Sequence, residues 1–326
     1  MSLNPEGLRV LITGGAGFIG SHLADRLLDL GSNVTVLDNF DEFYRGKEWN
    51  VAHNLGRKGY RLVRGDILDF ELLNGLAEST DVMIHAAAQP GVQECNLNPG
   101  KAHQVNVTGT LNVLLALKQN QVSRLIYASS SSVYGDGDHR RMKEADPTNP
   151  TCPYGASKLA GEKYCLAFRE VYRLPVVCLR YFSVYGPRGR PDQVLYRFVS
   201  QVSKGVPPII FGDGDQMRDF TFIEDAVEAT VAAVVSDDCL GEVINVGYGR
   251  ALTIKEVAQK VIGRLGKTGE VEPQYKDSYR GDFLLTLADN SKARRLLGWS
   301  PRAEFDEGLD RFVRWFLGSR VIQEAQ

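Results

Sequence analysis

Cysteine is scarce and scattered in this chain. The five cysteines, Cys95, Cys152, Cys165, Cys178 and Cys239, form no C-x-x-C pair, and the five histidines lie far apart. That spacing excludes a zinc ribbon or a disulfide framework, predicts no metal site and fits thiols kept reduced in a cytosol. Charge of one sign is lacking too: 38 basic side chains face 40 acidic ones, a net charge of -2, so no electrostatic feature supports a nucleic-acid partner. No apolar run nears the roughly 18 residues of a membrane span. The opening "MSLNPEGLRV" has neither the basic nor the apolar segment of a secretion signal. The expectation is a cytoplasmic protein with no membrane partner. Repeats, low-complexity tracts and heptad runs are also missing, which excludes solenoids and coiled coils.

What is present is an ordinary soluble composition, 326 residues with 43% hydrophobic and 24% charged, enough for a large core and a smaller attached domain. Apolar runs "LRVLIT", "NVTVLD", "YRLVRGD", "DVMIHAA", "RLIYASS" and "VVCLRY" alternate with helix-length amphipathic segments. Such alternation predicts an α/β fold whose parallel strands are buried on both faces and joined by crossover helices. The segments "FIGSHLADRLLDLG", closing on Gly31, "KAHQVNVTGTLNVLLALKQN" and "YGASKLAGEKYCLAFREVY" carry apolar residues at helical spacing. After about residue 183 the texture becomes rich in Gly, Pro, Arg and Asp, as in "YGPRGRPDQ" and "GVPPIIFGDGDQMRD". This half reads as a smaller domain whose loops close over something anionic.

In "VLITGGAGFIGSHLADRLL", Gly14, Gly17 and Gly20 stand between a predicted strand and helix, with Phe18 and Ile19 opening the helix. A glycine-rich turn there lets backbone N–H groups approach a pyrophosphate at the positive end of the helix dipole. The next strand ends in Asp38 and Asn39, and Asp38 follows Gly20 by 18 residues. A carboxylate at that place accepts hydrogen bonds from an adenosine ribose and repels a 2′-phosphate, so NAD is expected rather than NADP. Asp66 and Ile67, closing the third strand, are the expected neighbours of the adenine.

"PYGASKLAGE" sets Tyr154 and Lys158 four apart, on one face of a helix. A buried ammonium beside a phenol favours the phenolate and lowers its pKa toward neutrality, making a base for a sugar or alcohol hydroxyl whose carbon gives up hydride. On its own this spacing is common. Its weight comes from the dinucleotide turn before it and the serine run "ASSSSVYG", whose Ser130 lies 24 residues earlier.

The order "TGGAGFIG", Asp38, "GDI", "HAAA", "ASSSSVYG", "YGASK", "RYFSVYGPRGRPD" resembles the extended short-chain dehydrogenase/reductase family, specifically its NAD-dependent nucleotide-sugar epimerases and dehydratases, from residue 8 to about 310. The resemblance implies a Rossmann-type doubly wound parallel sheet, residues 1–182 plus roughly 219–249, holding NAD through the residues above and Ala87. It implies a smaller C-terminal α/β nucleotide-sugar domain, residues 183–218 and 250–326, and a homodimer built through a helix bundle. It also places Ser130, with Ser131 beside it, at the C4 oxygen of the sugar as partners of Tyr154 and Lys158.

The same resemblance separates reactions. Dehydratases resemble "TDEVYG" and UDP-glucuronate decarboxylases "TSEVYG", whereas here those positions are Ser131 and Ser132. Elimination needs an acid and a base. Without them, reversible oxidation at C4 is the simplest chemistry. The segments "DNFDEFY", "AAQPGV" and "YGPRGRPD" look most like UDP-glucuronate 4-epimerases, which convert UDP-glucuronate to UDP-galacturonate. Arg190, a bidentate cation, and Ser183 are then expected at the sugar carboxylate. A firm grip there matters because a 4-keto glucuronate is a β-keto acid that loses CO2 when that carboxylate aligns with the carbonyl. Arg218, and Arg280 with it, are expected at the diphosphate. Pro90 and Gln93 depart from the "AGVR" usual in that subfamily, so a neutral or N-acetylated UDP-hexose stays open. His85 and His103 read as packing residues.

Overall fold

A computed structural model describes residues 3–136, 140–278, 281 and 283–319. The six predicted strands are present: β1 (Arg9–Thr13), β2 (Asn33–Asp38), β3 (Tyr60–Arg64), β4 (Val82–His85), β5 (Arg124–Ser130) and β6 (Val176–Tyr181). All pair in parallel, and Val243–Val246 adds a seventh strand beside β6. The order across the sheet is Val243–Val246, β6, β5, β4, β1, β2, β3. The order in which successive strands are added therefore reverses between β1 and β4, and the crevice at their carboxyl ends is where such sheets bind ligands.

Side-chain alternation builds two cores from one sheet. Val10 and Ile12 of β1 join the layer containing helix α1 (Phe18–Asp29), while Leu11 joins the opposite layer with Leu73, Leu114 and Leu117. Helix α1 ends at Asp29, with Gly31 left-handed at φ +85° just beyond, a place that favours glycine. The predicted helix 101–120 is interrupted. A short helix Pro99–His103 passes through a π-helical turn, Gln104–Thr108, into the helix Gly109–Asn120. The turn carries Asn106, whose side chain clamps both the N–H and the C=O of Gln89, at 2.8 and 3.1 Å. The long helix Pro153–Tyr172 starts cleanly because Pro153 occupies its first position and Cys152 Sγ accepts from Gly155 N.

Beyond β6 the chain makes short pairings: Val184–Tyr185 with Thr221–Phe222, Met217–Asp219 between Ala251–Thr253 and Leu285–Thr286, and Ile209–Phe211 with Gln274–Lys276. Helices Val194–Ser203, Ile254–Arg264 and Phe305–Gly318 cover them through Phe198, Val257, Val261 and Phe312. Thr253 and Glu256 form a capping box at the start of the second of these. Val243–Val246 and the helix Ile223–Val235, which packs on α1, return to the large sheet. The seventh strand escaped the sequence reading because it lies in the Gly- and Pro-rich half, where a four-residue apolar run has no periodicity to mark it.

Candidate functional site

The carboxyl ends of β1, β4, β5 and β6 open on a cavity of about 650 Å³. Gly14, Gly17, Phe18, Ile19, Gly20, Asp38, Asn39, Asp66, Ile67 and Ala87 line it at one end, and Ser183, Arg190 and Arg218 toward the other. Ser130, Ser131, Tyr154 and Lys158 line it as well. Arg280 lies outside the described residues.

The first end fits a dinucleotide. Gly14 is left-handed at φ +70°, and a Cβ there would stand 2.6 Å from the backbone of Ala87. No side chain caps α1, so its first N–H groups face the cavity through Gly17 to Gly20. Asp38 closes the glycine loop by accepting from Ala16 N at 3.0 Å and Phe40 N at 2.8 Å. Burial raises its carboxyl above the usual carboxylate range, against the charge of Lys47 and those two hydrogen bonds. Asn39 Nδ2 donates to Asp66 Oδ2 at 2.8 Å, joining the ends of β2 and β3 beside Ile67. A carboxylate at the end of β2 to accept from ribose hydroxyls, and a bare glycine cradle whose N–H groups donate to phosphate, are the groups NAD calls for, and NADP would bring its 2′-phosphate against Asp38.

At the middle, Lys158 is buried with its ammonium 4.4 Å from the centre of the Tyr127 ring. Burial pushes it down to about 8, against the pull of Cys165, Cys178, Glu162 and Cys95. The Tyr154 phenol differs from the expectation that Lys158 lowers it. Burial raises it above its ordinary value, and the charge of Arg190 and a hydrogen bond with Ser130 pull the other way. Ser130 Oγ also accepts from Ser132 N at 3.1 Å and donates to Ser132 Oγ at 3.2 Å, folding the serine run into a single tight turn at the strand end. His85 bridges Thr13 and Thr110 at 2.7 and 3.0 Å, and burial pushes it down to about 3, a packing residue rather than a reactive one.

At the far end, Arg190 is paired bidentately with Asp192, both bonds 2.9 Å. Against burial, the charge and hydrogen bonds of Asp192 hold the guanidinium above its ordinary value. Arg218 Nη1 donates to Met217 O at 2.8 Å and its guanidinium lies 6.0 Å from the Phe283 ring centre. Pro90 and Gln93 line the same cavity, as do Tyr44, Lys47 and Gln89. Asp192 was legible in "RPD", since a carboxylate two residues from an arginine in a loop can reach it; Tyr44 and Gln89 stand in the segments "DNFDEFY" and "AAQPGV", which gave neither a role, and Lys47 carried no comparable signal.

A bare glycine cradle, an acid at the second strand and a Tyr–Lys helix beneath a serine turn, all at the switch point of a parallel sheet, define a dinucleotide-dependent enzyme that oxidises and reduces a hydroxyl. The chain belongs to the NAD dependent epimerase/dehydratase family, whose model matches residues 10–247. It is 36% identical over 311 residues, 94% of this chain and 95% of the relative, to a UDP-glucuronate 4-epimerase of Thermodesulfobacterium geofontis. The fold matches the UDP-glucuronic acid 4-epimerase of Bacillus cereus, solved with UDP-glucuronic acid and NAD, with a TM-score of 0.90 at 34% identity over 98% of this chain and 100% of that one. A UDP-N-acetylglucosamine 4-epimerase from Methanobrevibacter ruminantium M1, solved with UDP-N-acetylmuramic acid, matches with a TM-score of 0.89 at 33% identity over 96% and 99%.

Proposed function

We propose that this protein is an NAD-dependent 4-epimerase of UDP-sugars, and that its substrate is UDP-glucuronate, converted to UDP-galacturonate. The observation that carries the reading is the composition of the serine turn: Ser130 meets Tyr154 at the cavity, and Ser131 and Ser132 stand where elimination would need an acid and a base. NAD, when bound, supplies the hydride acceptor and donor. Tyr154 takes the proton of the 4-hydroxyl, and Ser130, with Ser131 beside it, hydrogen-bonds that oxygen. Lys158 holds positive charge one helical turn away, which favours the phenolate once substrate is in place. The 4-keto sugar then turns within the cavity to present its other face for reduction, and Tyr154 returns the proton to the C4 oxygen.

Ser183 and Arg190 are assigned to the sugar carboxylate, and Arg218, with Arg280, to the diphosphate. Gly14, Gly17, Phe18, Ile19, Gly20, Asp38, Asn39, Asp66, Ile67 and Ala87 are assigned to NAD. A second reading, a neutral or N-acetylated UDP-hexose, draws on two observations: Arg190 already shares its charge with Asp192, and Pro90 and Gln93 face the cavity. Incubation with UDP-glucuronate, UDP-glucose and UDP-N-acetylglucosamine, with products resolved chromatographically, decides between them. UDP-galacturonate is the expected product; turnover of only the neutral sugars moves the assignment to the second reading, and a UDP-pentose with CO2 refutes epimerisation.

Residues 1–182 with 219–249 are proposed as the NAD-binding domain and 183–218 with 250–326 as the nucleotide-sugar domain. A cytoplasmic homodimer is the proposed assembly. Supporting it, Tyr164, Val171 and Tyr172 leave apolar surface exposed on the helix Pro153–Tyr172. No helix among the described residues is long and apolar enough to cross a membrane.

A further inference from the structure

Behind the serine turn lies a charge pair that the proposed chemistry leaves unused. Glu162, one helical turn past Lys158, is wholly buried, and Arg180 of β6 is 3% exposed. The carboxylate takes three hydrogen bonds: from Ser129 Oγ at 2.8 Å, Arg180 Nε at 3.0 Å and Arg180 Nη2 at 2.6 Å. Arg180 also reaches Glu144 O at 3.4 Å and stacks on Tyr134, its guanidinium carbon 4.6 Å from the ring centre. Tyr134 in turn donates to Asn245 Oδ1 at 2.7 Å in the seventh strand. One carboxylate thus ties the residue before Ser130, the helix that carries Tyr154 and Lys158, and, through Arg180 and Tyr134, the turn that follows Ser130.

Burying two charges is a poor way to stabilise a core, since apolar replacements of like volume are often neutral or better. The best-attested use of such a pair is to set register. Register matters here because Ser130 must point its hydroxyl at Tyr154 while being the last residue of a strand. Charge matters as well. The groups acting on the Lys158 ammonium are thiols from three elements, Cys165 on its own helix, Cys178 on β6 and Cys95 on the helix Val92–Leu97, together with Glu162. The Tyr127 ring of β5 lies under it from the sheet side, with neutral His85 of β4 against that ring at 5.7 Å between centres, and Tyr154 shares its helix face. Glu162 is the carboxylate in that set.

We propose that Glu162, held by Arg180, is a positioning residue for the C4 chemistry: it fixes Ser129, and with it the direction of Ser130, and places negative charge one turn from Lys158. The proposal rests on the 4-epimerase reading. The test is the pH profile of UDP-sugar interconversion by the NAD-loaded chain carrying Glu162→Gln. The expected result is a kcat lower by about tenfold or more and an alkaline limb moved to lower pH by about one unit, because the negative charge that favours the ammonium is gone. Bound NAD and KM stay close to wild type, and Glu162→Asp restores part of kcat and of the limb.

Glu162→Gln leaves Arg180 buried and unpaired, which can prevent folding. Ser129→Ala keeps the ion pair and removes only its bond to the strand. It is expected to lower kcat with the alkaline limb in place. A folded, NAD-loaded Glu162→Gln chain with a profile superimposed on wild type overturns the proposal, and so does Ser129→Ala at wild-type kcat. A wild-type chain that interconverts no UDP-sugar at C4 refutes the functional reading itself, and the role of Glu162 falls with it; an active wild type with unmoved variants refutes Glu162 alone.

Discussion

Gly20→Ala is the sharpest test of the cofactor cradle. A Cβ at Gly20 would stand 2.3 Å from Gly14 O, 2.7 Å from Gly15 Cα and 3.0 Å from Gly14 C. All three are backbone atoms and none can rotate away. Ordinary contact begins near 3.4 Å, so the helix or the loop must move by about 1 Å. The loop is pinned: Gly14 N donates to Leu37 O at 2.8 Å, Gly17 N to Gly14 O at 3.1 Å and Ala16 N to Asp38 at 3.0 Å. Overpacking of this kind costs about 1–3 kcal/mol. Appearing in cofactor binding, that cost weakens NAD by about 5-fold to 150-fold, at about 1.4 kcal/mol per decade. Appearing in the fold, it lowers the melting temperature by about 2–4 °C per kcal/mol. Calorimetric titration of the cofactor-stripped chain with NAD, together with a melting curve, measures both. Gly263→Ala is the control: it lies in the helix Ile254–Arg264 with nothing within 4 Å of the added Cβ, and should gain about 0.5–1 kcal/mol with NAD binding unmoved. A Gly20→Ala chain that binds NAD like wild type and melts at the same temperature refutes the reasoning.

Tyr154→Phe should retain NAD and lower kcat by about 100-fold to 10,000-fold, the usual range for losing an acid–base group; unchanged turnover would remove Tyr154 from the chemistry. Arg218→Ala should weaken UDP binding by about tenfold to a hundredfold through loss of a charged phosphate contact, with NAD binding unaffected, as competition by UDP would report. Acid should destabilise the fold through two histidines held neutral. Burial and the charge of Arg188 push His22 down to about 4, and burial pushes His85 to about 3. Below the ordinary value of 6.5 the unfolded chain binds those protons and the folded chain does not, so stability falls as pH drops from about 6.5 toward 4. Each contributes about 2 kcal/mol of that loss by pH 5, and His22→Gln, able to keep the 2.9 Å bond to Pro187 O, should flatten its share in urea unfolding at pH 7 and pH 5.

The short apolar runs, the helix-length segments between them and the glycine turn decided the sheet, its parallel pairing and the place of the cofactor cradle, because those features act within a few residues of one another. Tyr154 and Lys158 were legible for the same reason: four residues on a helix share a face. Tertiary structure decided what depends on residues far apart in the chain. Burial raised the Tyr154 phenol where the local pattern predicted that Lys158 would lower it. Val243–Val246 became the seventh strand only because β6 offered an open edge. Glu162 became a hub through Ser129, 33 residues away, and Arg180, 18 residues away. Short-range patterning writes the scaffold and its glycine loop into the sequence; desolvation and long-range charge, which set how the site's groups titrate and pair, arise only when the sheet brings distant strands together.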